Sequence, residues 1–509
     1  MKNKQIKIFS IVGTAALLSA CASLQPTALT NNEIATTTQA DRIVAQQDVE
    51  PLTGDLSLEE AIARAIKYNS ERRLRTMEEA VASGTFEASR YDMLPQLVAA
   101  AGYRERSNDL LTLQKDLSTG ETIGGETISS SRRATTTDLS LSWSLLDFGQ
   151  SYYAARQNAD RVLIAAERRR KTLHLLTQDV QTAFWRTASA QKLSSVLRQT
   201  ITDAEAALQD AQVIEQEGLR SPLEPLRYQR QLLENLRLLE AIEQELSTAR
   251  VELAALVNLP LMQDFRVVEP SAQLNSIWLD TPADEMEAHA LLQNADLRES
   301  MYNARIAQLE TRRALLKLFP GISFNYGHKT SNDDFLINQS WNEAGVQISF
   351  NLLGLLAAPA QMQLADAGIA LADQKRVTTQ LAVLSQLHIA RLLYRNATHQ
   401  FDRANTIANV DSRIAEHVNN QAHAAKLGRQ ERVAQQTAAI LSLLRRYQAL
   451  SNAQAAASRL QATLGLEPNL EDSANLSLAE LSDKVGQSLE TWASGELPPV
   501  PRFDTTELQ

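Results

Sequence analysis

A disulfide-stapled, metal-organised or nucleic-acid-binding protein needs residues that this chain has in short supply. It holds one cysteine in 509 residues, which excludes an internal disulfide framework and most cysteine-based metal sites. Glycine (18) and proline (14) are scarce and aromatics make up only 5%, a composition of long helices rather than of turn-rich sheets. The formal charge of −10 lacks the clustered basic surface that a phosphate backbone requires, so no nucleic acid is expected as a partner. No hydrophobic run after Leu18 approaches the ~20 residues of a spanning helix, so a membrane crossing would have to use strands. The histidines (His174, His289, His328, His388, His399, His417 and His423) are scattered. Even His417 and His423, an i, i+6 pair, do not share one helical face. HExxH, GxSxG and phosphate-loop patterns are missing, and the carboxylates sit beside Arg and Lys, as on solvated helix faces. The chain therefore reads as a non-enzyme with no cofactor and no metal.

What is present begins at the N-terminus. Lys2, Lys4 and Lys7 precede an apolar run from Ile8 to Leu18, which marks residues 1–20 as a signal peptide. Leu18-Ser19-Ala20-Cys21 resembles the lipobox of bacterial lipoproteins. That resemblance implies cleavage before Cys21, lipid on its thiol, and, with Ala22 rather than Asp following, sorting to the outer membrane. Residues 21–55 then read as the lipidated Cys and a polar tether rich in Thr, Gln, Asn and Ala.

The body of the chain is two copies of one plan about 210 to 225 residues apart. Ala65-Ile66-Lys67-Tyr68-Asn69 leads to Leu94-Pro95-Gln96, as Ala290-Leu291-Leu292-Gln293-Asn294 leads to Phe319-Pro320-Gly321. Trp143-Ser144-Leu145-Leu146 matches Phe350-Asn351-Leu352-Leu353, and Gly218 matches Gly428. Leu256-Val257-Asn258-Leu259-Pro260 matches Leu464-Gly465-Leu466-Glu467-Pro468. The resulting domains are a first repeat at 56–260, a linker at 261–282, a second repeat at 283–468 and a tail at 469–509. The first copy carries about 18 extra residues within Arg104 to Arg133, a Ser/Thr/Gly-rich surface loop.

Each copy predicts two strands. Leu139, Leu141, Trp143 and Leu145 alternate with polar residues, as do Ile322 and Phe324, and Val346, Ile348 and Phe350. Gln96 to Arg104 alternates poorly through its alanines. Everything else has helical period. Leu232, Leu239, Leu246 and Leu253 repeat every seven residues, as do Leu443, Leu450, Ala457 and Leu464. Four strands cannot close a barrel in one chain, because single-chain barrels start at about eight strands and open edges are not tolerated in lipid.

The tandem plan, the Ala-x-x-x-Asn helix, Leu146-Asp147-Phe148-Gly149 after the second strand, and the glycine-turn hairpins together resemble the TolC-like outer membrane efflux proteins over about Leu56 to Pro468. The resemblance implies a mainly α fold with a small β part, whose long coiled-coil-like hairpins in two tandem repeats give two strands each to a shared trimeric transmembrane β-barrel. It implies a homotrimer in the cell outer membrane that extends into the periplasm, docked to a periplasmic adaptor and an inner-membrane pump. The sheet's apolar residues would face outer-membrane lipid. Adaptor contacts would fall at the turns, Gly218, Leu219, Arg220, Gly428 and Arg429. The family's acidic aperture positions are unmatched here, since Arg432-Val433-Ala434-Gln435-Gln436-Thr437 carries no acid; Glu217 and Glu431 are the candidates in their place. Drug or dye efflux, type I secretion of proteins or adhesins, and a non-channel coiled-coil envelope lipoprotein all remain open.

Overall fold

The computed structural model describes residues 27–216, 223–268, 277–423, 429–468, 476–495 and 497. It divides into two units, Met1–Pro51 and Leu52–Gln509. In the first, helix α1 (Asn31–Gln46) starts from a capping box, in which Thr30 Oγ1 accepts from Glu33 N at 3.2 Å and Glu33 Oε2 accepts from Thr30 N at 2.7 Å. None of its residues is buried. The stretch expected to be an irregular tether is thus helical where this local cap sets it, without an apolar face.

In the second unit the repeat is visible element by element. Helix α2 (Leu58–Tyr68) is followed by α3 (Ser70–Tyr91), strands β1 (Gln96–Glu105), β2 (Leu111–Lys115), β3 (Thr122–Ile128) and β4 (Arg133–Ser144), then α4 (Leu145–Gln216) and α5 (Leu223–Leu256). After a short helix α6 (Ile277–Asp280), the second copy runs α7 (Ala283–Gln293), α8 (Ala295–Leu316), β5 (Gly321–Ser331), β6 (Ser340–Ser349), a 3-10 turn (Leu353–Ala357), α9 (Ala358–His423) and α10 (Arg429–Leu464). A last helix, α11 (Leu478–Ala493), opens on a Ser477/Glu480 capping box. At 1.5 Å per residue the 72-residue α4 is about 110 Å long.

The landmark asparagines explain themselves. Asn69 ends α2 in an extended conformation and caps α3, its Oδ1 accepting from Glu71 N at 3.0 Å and Arg72 N at 3.2 Å. Asn294 does the same between α7 and α8, accepting from Asp296 N at 3.0 Å and Leu297 N at 3.2 Å. The returning helices end alike. Leu259 N reaches Ala254 O and Leu466 N reaches Gln461 O, both at 2.9 to 3.0 Å, with Asn258 (φ 56°) and Gly465 (φ 76°) in the left-handed position that closes such an end. The equivalence therefore runs Asn258 to Gly465, one residue away from the alignment read in the sequence. Gly465 is required for a second reason, since a Cβ there would lie 2.6 Å from the Gln293 carbonyl oxygen.

Four long helices share one core. Trp185, Leu193 and Leu197 of α4, Leu239 and Ile242 of α5, Phe401 of α9, and Ile440, Leu444, Tyr447 and Leu450 of α10 form a single apolar cluster. Leu232, Leu239 and Leu253 of the first seven-residue series are each no more than 1% exposed. In the second series Leu450 and Leu464 are buried, but Leu443 and Ala457 are only half-buried, because Ile440, Leu444 and Tyr447 turn inward instead. A separate cluster gathers Trp278, Met286, Leu297, Tyr394, Leu460 and Trp492, and so fixes the linker helix α6 and the tail helix α11 against the second repeat. Leu56 bridges Val267 in parallel, tying the start of the first repeat to the linker.

A run of four cations on α4 clamps three other segments. Arg168 pairs with Glu299 at 2.7 Å, Arg169 with Glu79 at 2.7 Å, Arg170 with Glu467 at 2.9 Å and Lys171 with Asp296 at 2.7 Å. Successive residues of a helix point about 100° apart, so one stretch can reach α3, α8 and the segment after α10. Beneath it Glu167, 5% exposed, accepts from Arg170 at 2.6 Å and Arg298 at 2.8 Å.

Candidate membrane-spanning sheet

The strands form one four-stranded antiparallel sheet in the order β1-β4-β5-β6, with β2 and β3 paired separately. The expected Ser/Thr/Gly-rich loop is therefore partly a hairpin, in which Leu111 pairs Ile128 and Lys115 pairs Thr122. Gly120, with φ 71°, admits its tight turn, and Gly124, with φ 74°, lies within β3 where the register shifts. Strands β1, β4, β5 and β6 are 10, 12, 11 and 10 residues long, the length of strands that cross a bilayer at a tilt (~9–11 residues).

Register puts the predicted apolar residues on one face. Trp143 lies opposite Phe324, and Phe324 opposite Val346. Ile322 pairs Ile348, and Leu141 stands between Leu97 and Tyr326. Leu139 faces Ala99 and His328. Two residues taken from the sequence as strand are not: Leu145 is the first residue of α4, and Phe350 follows the end of β6. Both lie where the chain turns from sheet to helix, so the alternation ran one residue past the ladder. The Trp143 ring meets Phe148 edge-on at 5.8 Å and Phe324 at 6.4 Å. Aromatic residues thus gather at the helix end of the sheet, as in the girdle of a membrane barrel.

This apolar face is uncovered. Leu97, Val346 and Ile348 are 66%, 66% and 70% exposed. The opposite face is mostly Ser, Thr, Asn, Gln and Gly, with Val98, Ala100, Ala134 and Trp341 among them, Arg104 near the far end of β1, and one group of charges, Asp138, Lys329 and Glu343. Lys329 Nζ donates to Glu343 Oε2 at 2.8 Å. This group was not singled out from the sequence; its signal is that these are the only ionisable residues on the polar side of the alternation from Gln96 to Gly102 and across the neighbouring strands.

Both sheet edges, β1 and β6, are open within the chain. Helices flanking these edges are apolar and exposed as well. Before β1, α3 presents Leu74, Met77 and Val81 at i, i+3 and i+7, 54% to 69% exposed. After β6, Leu353, Leu356, Leu364 and Leu371 are 57% to 80% exposed. The stretch Leu353–Gln421 contains a segment apolar enough by composition to cross a membrane, none of it buried. This corrects the expectation that no run after Leu18 comes near that mark; alanines between the leucines carry it.

Cys21, Glu217, Gly218, Leu219, Arg220 and Gly428 lie outside the described residues, and Arg429 and Glu431 fall in the first turn of α10 with their side chains likewise outside. Among the described residues no three His, Cys, Asp or Glu side chains converge as metal ligands.

Residues 70–259 match the sequence model of a family described as outer membrane efflux protein. No curated protein matches the chain. Among solved structures, the fold is similar to the CmeC outer membrane channel of Campylobacter jejuni, with TM-score 0.62 and 13% identity over 90% of this chain and 93% of that one. It is also similar to the open-state MtrE outer membrane channel of Neisseria gonorrhoeae, with TM-score 0.61 and 15% identity over 82% and 94%. A membrane protein from Pseudomonas aeruginosa gives TM-score 0.62 and 16% identity over 80% and 90%. The family resemblance read from the sequence is thus met in the first repeat by sequence and across both repeats by fold.

Proposed function

From an outer membrane efflux protein match at residues 70–259 and a fold like that of outer membrane channels, we propose that this protein is the outer-membrane exit duct of an export system. The observation that carries the reading is the two-faced sheet with both edges open. A water-exposed apolar face is unfavourable, and in lipid the unpaired N–H and C=O groups of an open edge are more so. Pairing β6 of one copy with β1 of the next satisfies both edges. The same contact brings the exposed leucines after β6 beside the Leu74, Met77 and Val81 stripe of the neighbour's α3. Three copies supply about 12 strands, within the range of membrane barrels. The polar sheet face then lines a water-filled passage, continued by helices.

The chain does no chemistry in this reading, and the energy for export comes from elsewhere. An inner-membrane pump and a periplasmic adaptor supply it, the adaptor meeting the turns at Gly218, Leu219, Arg220, Gly428 and Arg429, with Glu217 and Glu431 at the aperture. Lipid on Cys21 anchors each copy. Drugs and other small amphiphiles are the proposed cargo.

The test is single-channel conductance of the mature protein in planar bilayers, with oligomeric state measured on the same sample. Discrete pores from a trimer support the duct. A lipidated monomer that never conducts, even after Arg429 and Glu431 are replaced together, leaves a coiled-coil envelope lipoprotein instead.

A further inference from the structure

The face of the sheet opposite the apolar one is uncharged along most of its length. On β1 the residues from Gln96 to Gly102 that point this way are Gln, Val, Ala and Gly, and their neighbours on β4, β5 and β6 are mostly Ser, Thr, Asn, Gln or Gly. Beyond that stretch Arg104 of β1 sits on the same face, 3.7 Å from Asp333; within it the exception is one compact group. Asp138 of β4 lies directly across from Lys329 of β5. Glu343 of β6 lies across from Gly327, two residues before Lys329, and takes the Lys329 ammonium at 2.8 Å. Gly327 separates the two carboxylates with no side chain. The space is used by Asp138, whose Oδ1 lies 3.4 Å from where a Cβ on residue 327 would be. That oxygen has no hydrogen-bond partner.

The group therefore carries two negative charges and one positive charge, a net single negative charge; the ammonium donates to Glu343, and Asp138 attracts it from the neighbouring strand without a hydrogen bond. We propose that Asp138 sets the ion preference of the passage: one uncompensated carboxylate per chain, repeated around a polar lumen, makes a belt that favours cations over anions. This rests on the duct reading. A narrow aqueous passage with low-dielectric walls focuses the field of such a belt; the next cation on this face, Arg104, lies farther along β1 and faces Asp333 at 3.7 Å. Lys329 tunes the belt by removing one of its two negative charges. Gly327 keeps the carboxylates close enough to share the ammonium.

The experiment measures reversal potential for the full mature chain in planar bilayers under a KCl gradient. Wild type is expected to prefer potassium over chloride, and Asp138→Asn to lower that permeability ratio about severalfold. Lys329→Met raises the ratio, because both carboxylates are then uncompensated. Asp138→Glu retains it. Raising the salt from about 0.1 M to about 1 M, which shortens the Debye length from ~10 Å to ~3 Å, brings wild type towards the Asp138→Asn value. Trimer recovery for each variant shows that the assembly is intact. Pores of Asp138→Asn with the wild-type ratio overturn the proposal and leave the duct standing. Failure of wild type and every variant to conduct, also with Arg429 and Glu431 replaced together, overturns the duct reading, and the belt falls with it.

Discussion

Asn69 donates from Nδ2 to the carbonyl of Leu256 at 3.1 Å, across 187 residues of chain. Its counterpart Asn294 donates to Thr463 at 3.3 Å. Each asparagine ends one helix, caps the next and holds the end of the returning helix of its own repeat. Replacing either by Ala removes the cap and leaves a carbonyl short of a partner, a loss of about 1–2 kcal/mol each. Thermal unfolding of Asn69→Ala and Asn294→Ala measures it. Asp, which can cap but cannot donate from the side chain, should recover part of the loss and no more.

The two helix ends separate by chemistry. Gly465→Ala meets both a left-handed backbone and the Gln293 carbonyl, and should destabilise the protein by about 2 kcal/mol or more. Asn258→Gly at the equivalent turn should change stability by only a few tenths of a kcal/mol. Equal effects at the two sites in denaturant titrations would contradict the crowding of position 465 by the Gln293 carbonyl.

Glu167 is buried between Arg170 and Arg298. Glu167→Ala leaves Arg298 without its carboxylate while Arg170 keeps Glu467, and a loss of about 1.5–3 kcal/mol is expected. Arg168→Ala removes an ion pair in which Arg168 is 56% exposed and Glu299 22%, and should lose about 1 kcal/mol or less. Chemical denaturation of the two variants in detergent compares them directly.

His174 is buried, and its pKa is pushed down to about 4, first by burial and then by Arg170. Glu467 also faces it, but Nε2 to Oε2 is 3.8 Å and Glu467 is engaged by Arg170. The unfolded imidazole takes its proton near pH 6.5 and the folded one only near pH 4. Stability therefore holds above about pH 6.5 and falls as pH drops towards 4, by up to roughly 3 kcal/mol. His174→Gln should flatten the melting temperature over that window and change it little at pH 8.

The two faces of the sheet should respond oppositely to one substitution. Leu141→Arg places a charge on the apolar face, where about 2–4 kcal/mol per Arg is expected near the bilayer midplane. Ser140→Arg, one residue earlier on the polar face, should still insert. Recovery of each variant in washed outer membranes, and its mobility with and without heating, checks the assignment. Equal recovery of both argues that no lipid covers the apolar face.

The sequence was sufficient where one residue's own chemistry dictates its backbone. Asn69 and Asn294 end and restart helices because their side chains satisfy free N–H groups, and the alternation through Leu139, Leu141 and Trp143 can suit only a two-faced strand. The seven-residue series at Leu232, Leu239 and Leu253 likewise buries itself.

Other features depended on partners far away in the chain. Strand order follows from ladders between β4 and β5, which the two repeats contribute separately, and the hairpin β2–β3 forms inside a segment whose polar composition reads as loop. The turn equivalence of Asn258 and Gly465 shows in dihedral angles and not in residue identity. The run from Arg168 to Lys171 looks in sequence like a solvated helix face; only packing brings Glu299, Glu79, Glu467 and Asp296 to it. Asp138, Lys329 and Glu343 become one group through strand register alone, because a cross-strand neighbour is fixed by hydrogen-bond pairing and has no signature in local sequence.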